Sequence, residues 1–312
     1  MQREQGGACD GTSTVILLTG ASGYVGRHLA AELRSRGLAV RGLVRNPRRA
    51  EPLRRLDVEV ATGDVLRPAS LGLACDGIDT VVHLVGLLRE GWRDTFQRVV
   101  VEGSRNVIMA CQARGVTRLV YVSALGAAMD SPSRYFATKA TVEGLVRDSG
   151  LTYQIWRPSL MLGRGEKLTD DLSRLLRRSP VMPVLRLPEE GRMQPLMVTD
   201  AVEIMADLLS ADGAWGHTFA IAGREQLTLA EITDKIAAAL GRRPMHLPVS
   251  GRSVQLAARL LEPVSPLLPV SADQLRMLAT DGTTTDTHYT QYSRVVPRPV
   301  ADGLAEVLRN TK

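Results

Sequence analysis

The sequence is poor in several features that mark whole classes of protein. Its 312 residues hold three cysteines, Cys9, Cys75 and Cys111, and none is paired in spacing with another. That excludes a disulfide framework and a cysteine-built zinc site, and it fits a reducing, cytoplasmic setting with no metal. No stretch approaches the about 18 uninterrupted apolar residues of a membrane span, and the polar opening MQREQGGACDGTS lacks the apolar core of a secretory signal. Residues 1–13 therefore read as a disordered tail. The net charge of +6 comes mainly from arginines spread along the chain, without a basic block interleaved with aromatics. This argues against nucleic acid and for a small anionic ligand.

With 44% hydrophobic and 23% charged residues, the chain can bury a full core. Short β-rich runs occur at 14–18, 39–44, 58–61, 80–85, 118–123 and 152–156. Amphipathic helical patterns separate them. Val25, Leu29 and Leu33 recur every four residues on one helical face, and Gly37 ends that helix; similar patterns lie around 93–113 and 134–149. Strand, helix, strand repeats imply an α/β fold, a doubly wound parallel sheet covered on both faces, because parallel neighbours need long crossovers.

The first turn of that pattern carries the segment TGASGYVG, with Gly20, Gly23 and Gly26 between strand and helix. Glycines there permit a tight turn and let backbone N–H groups at the helix start approach a pyrophosphate, so the expected ligand is a dinucleotide. An acidic residue about twenty positions on would select NAD. None stands there. Arg45, Arg48 and Arg49 in LVRNPRR do instead, and Arg45, directly after the strand, suits a 2′-phosphate, so NADP(H) is favoured over NAD(H). Asp64 after the third strand reads either as an acceptor for the adenine amino group or as a plain turn aspartate.

Candidate chemistry lies in VSALGAAMDSPSRYFATKA. Tyr135 and Lys139, four apart, share a helix face, and Ser123 ends the fifth strand. A tyrosine moving a proton at neutral pH needs a nearby cation, which Lys139 supplies. Ser123 is then the hydrogen-bonding partner of a substrate oxygen, and Lys139 also anchors the nicotinamide ribose.

TGASGYVG, VVHLVG, the Ser123, Tyr135, Lys139 set and WRPSLMLG resemble the extended and atypical short-chain dehydrogenase/reductases. LLREGWRDTFQRVVVEGSRNVIMACQARGVTRLVYVSALGA, QPLMVTDA, FAIAGREQLTLAEI and SADQLRML are similar to the branch containing the NADPH-binding accessory subunit of mitochondrial complex I and its bacterial relatives. The resemblance runs from residue 14 to about 300. It implies a Rossmann domain over 14–160, joined by 195–225, and a smaller C-terminal substrate-binding lid domain from 161–194 and 226–312. Carried onto matching positions, it implies a cofactor-binding set of Gly20, Ser22, Gly23, Tyr24, Val25, Gly26, Arg45, Asp64, Val65, His83, Leu84, Lys139 and Pro158. His83 reads equally as a core histidine, and Pro158 as the end of a strand.

Two departures narrow the expectation. Val100 stands where many extended members have asparagine, and SALGA lacks the acidic pair of sugar-nucleotide dehydratases, which rejects that reaction. Beyond residue 159, VTDAVEIMADLLS and LTLAEITDKIAAALG read as helices opened by Thr or Asp caps, and the Pro-broken apolar stretch 257–270 as pocket wall, oligomer contact or membrane-surface contact. Two functions stay open: an NADP(H)-dependent oxidoreductase or epimerase acting on a small carbonyl or hydroxyl substrate, and a non-catalytic NADPH-binding subunit of a respiratory complex, peripheral to the membrane. Homo-oligomerisation is left open too.

Overall fold

A computed structural model describes residues 14–186, 190–250 and 271–309; the tail 1–13 and the stretch 257–270 lie outside them. The first strand, β1 (Val15–Thr19), is followed by α1 (Tyr24–Ser35), β2 (Ala39–Val44), the single turn α2 (Glu51–Arg54), β3 (Glu59–Thr62), α3 (Pro68–Ala74) and β4 (Thr80–His83). Next come a π-helical segment (Phe96–Glu102) continuous with α4 (Gly103–Ala113), then β5 (Arg118–Val122), α5 (Arg134–Arg147) and β6 (Thr152–Pro158). A seventh strand, β10 (Thr218–Ile221), completes the sheet, whose spatial order is β10-β6-β5-β4-β1-β2-β3, every pair parallel. This is the doubly wound arrangement. The order reverses between β1 and β4, and the crevice at their carboxyl ends is where such sheets bind nucleotides.

Strand periodicity divides the core. Ile16, Leu18, Val82, Val120 and Val122 face one helical layer, whereas Leu17, Val81, Leu119 and Tyr121 face the other. Leu29 and Leu33 of α1, both fully buried, cover the first face together with α7 (Val198–Ser210). Burying each contributes about 1.5–3 kcal/mol. Gly37 sits just past the α1 C-cap at φ 78°, a left-handed conformation that favours glycine.

Outside that sheet lie β7 (Met161–Leu162), α6 (Lys167–Arg178), β8 (Val181–Arg186), β9 (Leu196–Met197), α8 (Leu229–Ala239), β11 (Met245–Ser250), α9 (Ala272–Ala279) and α10 (Val300–Arg309). A separate core cluster there gathers Leu162, Leu176, Ile232, Ile236 and Leu304. Thr228 caps α8 in a reciprocal box with Glu231, as its sequence suggests. The other expected cap is corrected: α7 begins at Val198 behind Met197 with no side-chain cap, and buried Asp200 instead holds Arg298. Among the described residues no helix is long and apolar enough to cross a membrane.

Candidate active site

The glycine turn divides its labour by position. Gly20 has φ 75°, and a Cβ there would press on the Leu84 and Val85 backbone at 3.3 Å. A Cβ on Gly26 would meet the Gly20 carbonyl oxygen and the Ala21 backbone far inside contact distance, so this glycine lets helix and strand close up. Gly23 differs: it is exposed, and its Cβ would touch only the Gly20 oxygen, at 3.1 Å. What it keeps open is outside space. No side chain caps the first turn of α1, so the N–H groups there face that space unclaimed by a cap, and the helix dipole makes it attractive to an anion. The residues present fit a dinucleotide pyrophosphate, which the backbone N–H groups of Ser22, Tyr24, Val25 and Gly26 would hold; that of Gly23 is already given to the Gly20 carbonyl at 2.9 Å, so Gly23 would serve by leaving room. The Tyr24 ring turns inward against His28, and its buried hydroxyl sits where a side chain at Gly163 would stand.

At the end of β2 the side chains of Arg45, Arg48 and Arg49 are exposed and enter no ion pair among the described residues. They form an unneutralised cationic patch beside the nucleotide crevice. Asp64 closes its own turn, since Oδ1 accepts from the Leu66 N–H at 2.9 Å, leaving Oδ2 as the remaining acceptor. Val65 is buried beneath α4, against Gly103. Leu84 donates its N–H to Thr19 at the head of the crevice. Pro158 is the last residue of β6, and its carbonyl accepts from the Leu125 N–H at 2.9 Å, tying down the loop after β5.

Tyr135 and Lys139 both lie in the first half of α5, turned inward. Burial pushes the Tyr135 phenol up to about 12, so it holds its proton at neutral pH. Burial also pulls the Lys139 ammonium down to about 8, against the opposing charge of Glu143. Its one hydrogen bond among the described residues goes to the Val122 carbonyl at 2.8 Å. A buried ammonium has three donors, so this leaves two for other partners. The helix start is fixed from far along the chain: the Asp273 carboxylate of α9 accepts from the Arg134 N–H at 2.7 Å and the Tyr135 N–H at 3.1 Å. A carboxylate at a helix N-terminus is favoured by the dipole as well as by these bonds.

Ser123 takes a different part from the one its spacing suggests. Its hydroxyl is buried and donates to Glu143 Oε1 at 2.6 Å, so the proton is committed and only lone pairs remain. Glu143, 1% exposed, also accepts two bonds from Arg157, at 2.8 and 2.6 Å, and one from Arg147 at 2.9 Å. Sequence reasoning missed this carboxylate. The available signal was its position four residues past Lys139, on the inward face of the same helix. A cavity of about 530 Å³ opens beside the network, lined by Leu125, Gly126, Ala127, Asp130, Arg157 and Thr284 among others.

Of its two readings, the geometry of His83 supports the core histidine. Its ring is 2% exposed, with Nδ1 2.6 Å from the Thr19 hydroxyl and Nε2 2.9 Å from that of Ser104. Ser104 gives its own proton to the Val100 carbonyl, so Nε2 must carry the imidazole proton and Nδ1 accepts from Thr19. Burial and the Lys139 charge push this histidine down to about 3, and it stays neutral. Both nitrogens are spent inside the protein, which leaves the side chain no polar atom for a cofactor.

Residues 20–171 match a family of NAD(P)H-binding domains. Over 253 residues the chain is 32% identical to ceramide reductase of Caulobacter vibrioides, covering 81% of this chain and 79% of that one. The chain therefore belongs to the extended short-chain dehydrogenase/reductase-like family of NAD(P)H-binding proteins. It is also 26% identical over 260 residues to the mitochondrial NADH dehydrogenase [ubiquinone] 1 alpha subcomplex subunit 9 of Dictyostelium discoideum, covering 80% of this chain and 71% of that one, and so stands near the complex I accessory branch. Its fold matches the NADPH complex of an NADPH-dependent quinone oxidoreductase from Escherichia coli with a TM-score of 0.73 at 21% identity, over 93% of this chain and 99% of that one.

Proposed function

We propose that the protein is an NADPH-dependent reductase of a small carbonyl compound, with Tyr135 as the proton donor and Lys139 as its electrostatic partner. The observation that carries this reading is the pairing, on one turn of α5, of a phenol that keeps its proton with a buried ammonium whose donors are only partly used. A bound reduced nicotinamide would supply the hydride. Tyr135 gives its proton to the substrate oxygen as the carbonyl carbon is reduced, and the phenolate left behind is stabilised by Lys139. A protonated phenol at neutral pH suits this direction better than proton abstraction from an alcohol. Ser123, with its hydroxyl proton held by Glu143, orients the network rather than donating to substrate. The rest of the molecule would extend towards the cavity that Leu125 and Arg157 line. Arg45, with Arg48 and Arg49 nearby, selects the 2′-phosphate.

The test is a spectrophotometric screen of purified protein with NADPH against ketones and quinones, with Tyr135→Phe as control. Turnover in the native chain that vanishes in the variant is the expected result. Stoichiometric NADPH that no substrate consumes would overturn the reading. It would favour the second one, a cofactor-binding subunit of a respiratory complex, which rests on the similarity to the subunit 9 relative. In that case NADPH stabilises the fold by mass action, and loss of cofactor appears as lost assembly.

A further inference from the structure

Lys139 is more tightly placed than its single hydrogen bond explains. Its Nζ lies 4.9 Å from the centre of the Tyr121 ring, within cation–π range. Tyr121 is the inward residue of β5 next to Val122, whose carbonyl holds the same ammonium, so one strand supplies two adjacent supports. The ring is fully buried and stacks on neutral His83 at 5.8 Å, which is itself pinned by Thr19 and Ser104. Above, the loop after β4 passes so close that a side chain at Gly86 would stand 3.4 Å from Nζ. The charged and titratable groups around Lys139 are thus Tyr135 and Glu143 on its own helix, Tyr121 on β5 and His83 on β4. Glu143 already binds Ser123, Arg147 and Arg157. The Tyr121 hydroxyl has no hydrogen-bond partner among the described residues, so the part of Tyr121 that the site uses is its ring face.

We propose that Tyr121 is a positioning residue: its ring face holds the Lys139 ammonium charged and aimed at the cofactor ribose and at Tyr135. This rests on the proposed role of Lys139 in the cofactor site. A cation over an aromatic face is favoured in its charged form, most of all when little water competes. Weakening the ring's negative face therefore lowers the pH at which Lys139 loses its proton. An aliphatic residue of similar size would fill the space without that effect.

The experiment replaces Tyr121 first by phenylalanine and then by phenylalanines carrying one to three ring fluorines. These keep shape and packing while draining the ring face of negative charge. NADPH affinity is measured by calorimetry between pH 6 and 10, with Lys139→Ala as reference and a thermal melt of each variant. Tyr121→Phe should keep the wild-type alkaline midpoint, and the fluorinated series should move it stepwise downward, by about one pH unit in all. A midpoint that stays constant across the series, while Lys139→Ala still weakens binding, overturns the role of Tyr121 and leaves that of Lys139 intact. If Lys139→Ala binds NADPH as well as the native chain does, the ribose assignment fails and the positioning role fails with it.

Discussion

Replacing Glu143 by glutamine tests the buried network on which the site rests. The carboxylate is 1% exposed and accepts on both oxygens: Oε1 from Ser123 and the Arg157 Nε–H, Oε2 from Arg157 Nη2 and Arg147 Nη2. A glutamine must turn its NH₂ group towards one of these donor pairs. Facing Oε2's partners, it strands two guanidinium N–H groups; facing Oε1's, it strands the Arg157 Nε–H and forces Ser123 to reverse. Bonds to a charged group contribute about 1.5–3 kcal/mol each. Arg157 and Arg147 keep 31% and 41% side-chain exposure, so solvent screens part of that. The expected loss is about 2–4 kcal/mol, or roughly 3–6 °C in Tm for a chain of this length.

The pH dependence carries a sign. Burial alone would raise the Glu143 carboxyl, but its hydrogen bonds from Arg157, Ser123 and Arg147 outweigh it and hold the group below its ordinary 4.5. Its contribution is therefore fully present above pH 4.5 and is lost as pH falls through the depressed folded value. Urea unfolding of native and Glu143→Gln protein at pH 7, repeated towards pH 3, should show a gap that narrows in acid. Equal stability at pH 7, or a gap unchanged in acid, would refute the reasoning.

Gly26→Ala should destabilise the fold and abolish dinucleotide binding together, because its Cβ would lie within 3 Å of the Gly20 and Ala21 backbone, whereas Gly23→Val should stay folded and lose NADPH in calorimetry. Arg45→Ala should lower the preference for NADPH over NADH by about tenfold or more, as expected for one charge-assisted phosphate contact, and equal nucleotide affinities in the native chain would remove Arg45 from the site. Tyr135→Phe should leave NADPH affinity within about twofold while eliminating turnover, since only the hydroxyl is removed. His83, held neutral down to about 3, makes the unfolded chain bind one more proton between pH 6.5 and 3. That costs about 1.4 kcal/mol of stability per pH unit on acidification, and His83→Gln should flatten this slope by one proton in unfolding curves.

Much of the fold was legible in sequence because the information is local. The run 39–44 is β2 residue for residue, and Leu29 and Leu33 are buried on α1 as their spacing requires. Strand and helix periods, turn glycines and the absence of an acid after β2 are all readable within a few residues. Gly23 and Gly26 look alike in the sequence. Only the packing separates them, one opening onto solvent and the other clamped against the strand turn. The spacing that aligned Ser123, Tyr135 and Lys139 says which residues can meet, not which way a hydroxyl donates. That depended on the packing of α5 against β6, which brings Glu143 onto Arg157. Likewise His83 became a neutral core residue through Thr19 and Ser104, and Tyr135 gained its helix-start anchor from Asp273, 138 residues away. Sequence by itself determined the periodic scaffold and the glycine turn, since those follow from backbone geometry and residue type. Tertiary structure decided protonation, hydrogen-bond direction and which buried groups are free to act, because burial and long-range partners set the energies of charge and of unmade hydrogen bonds.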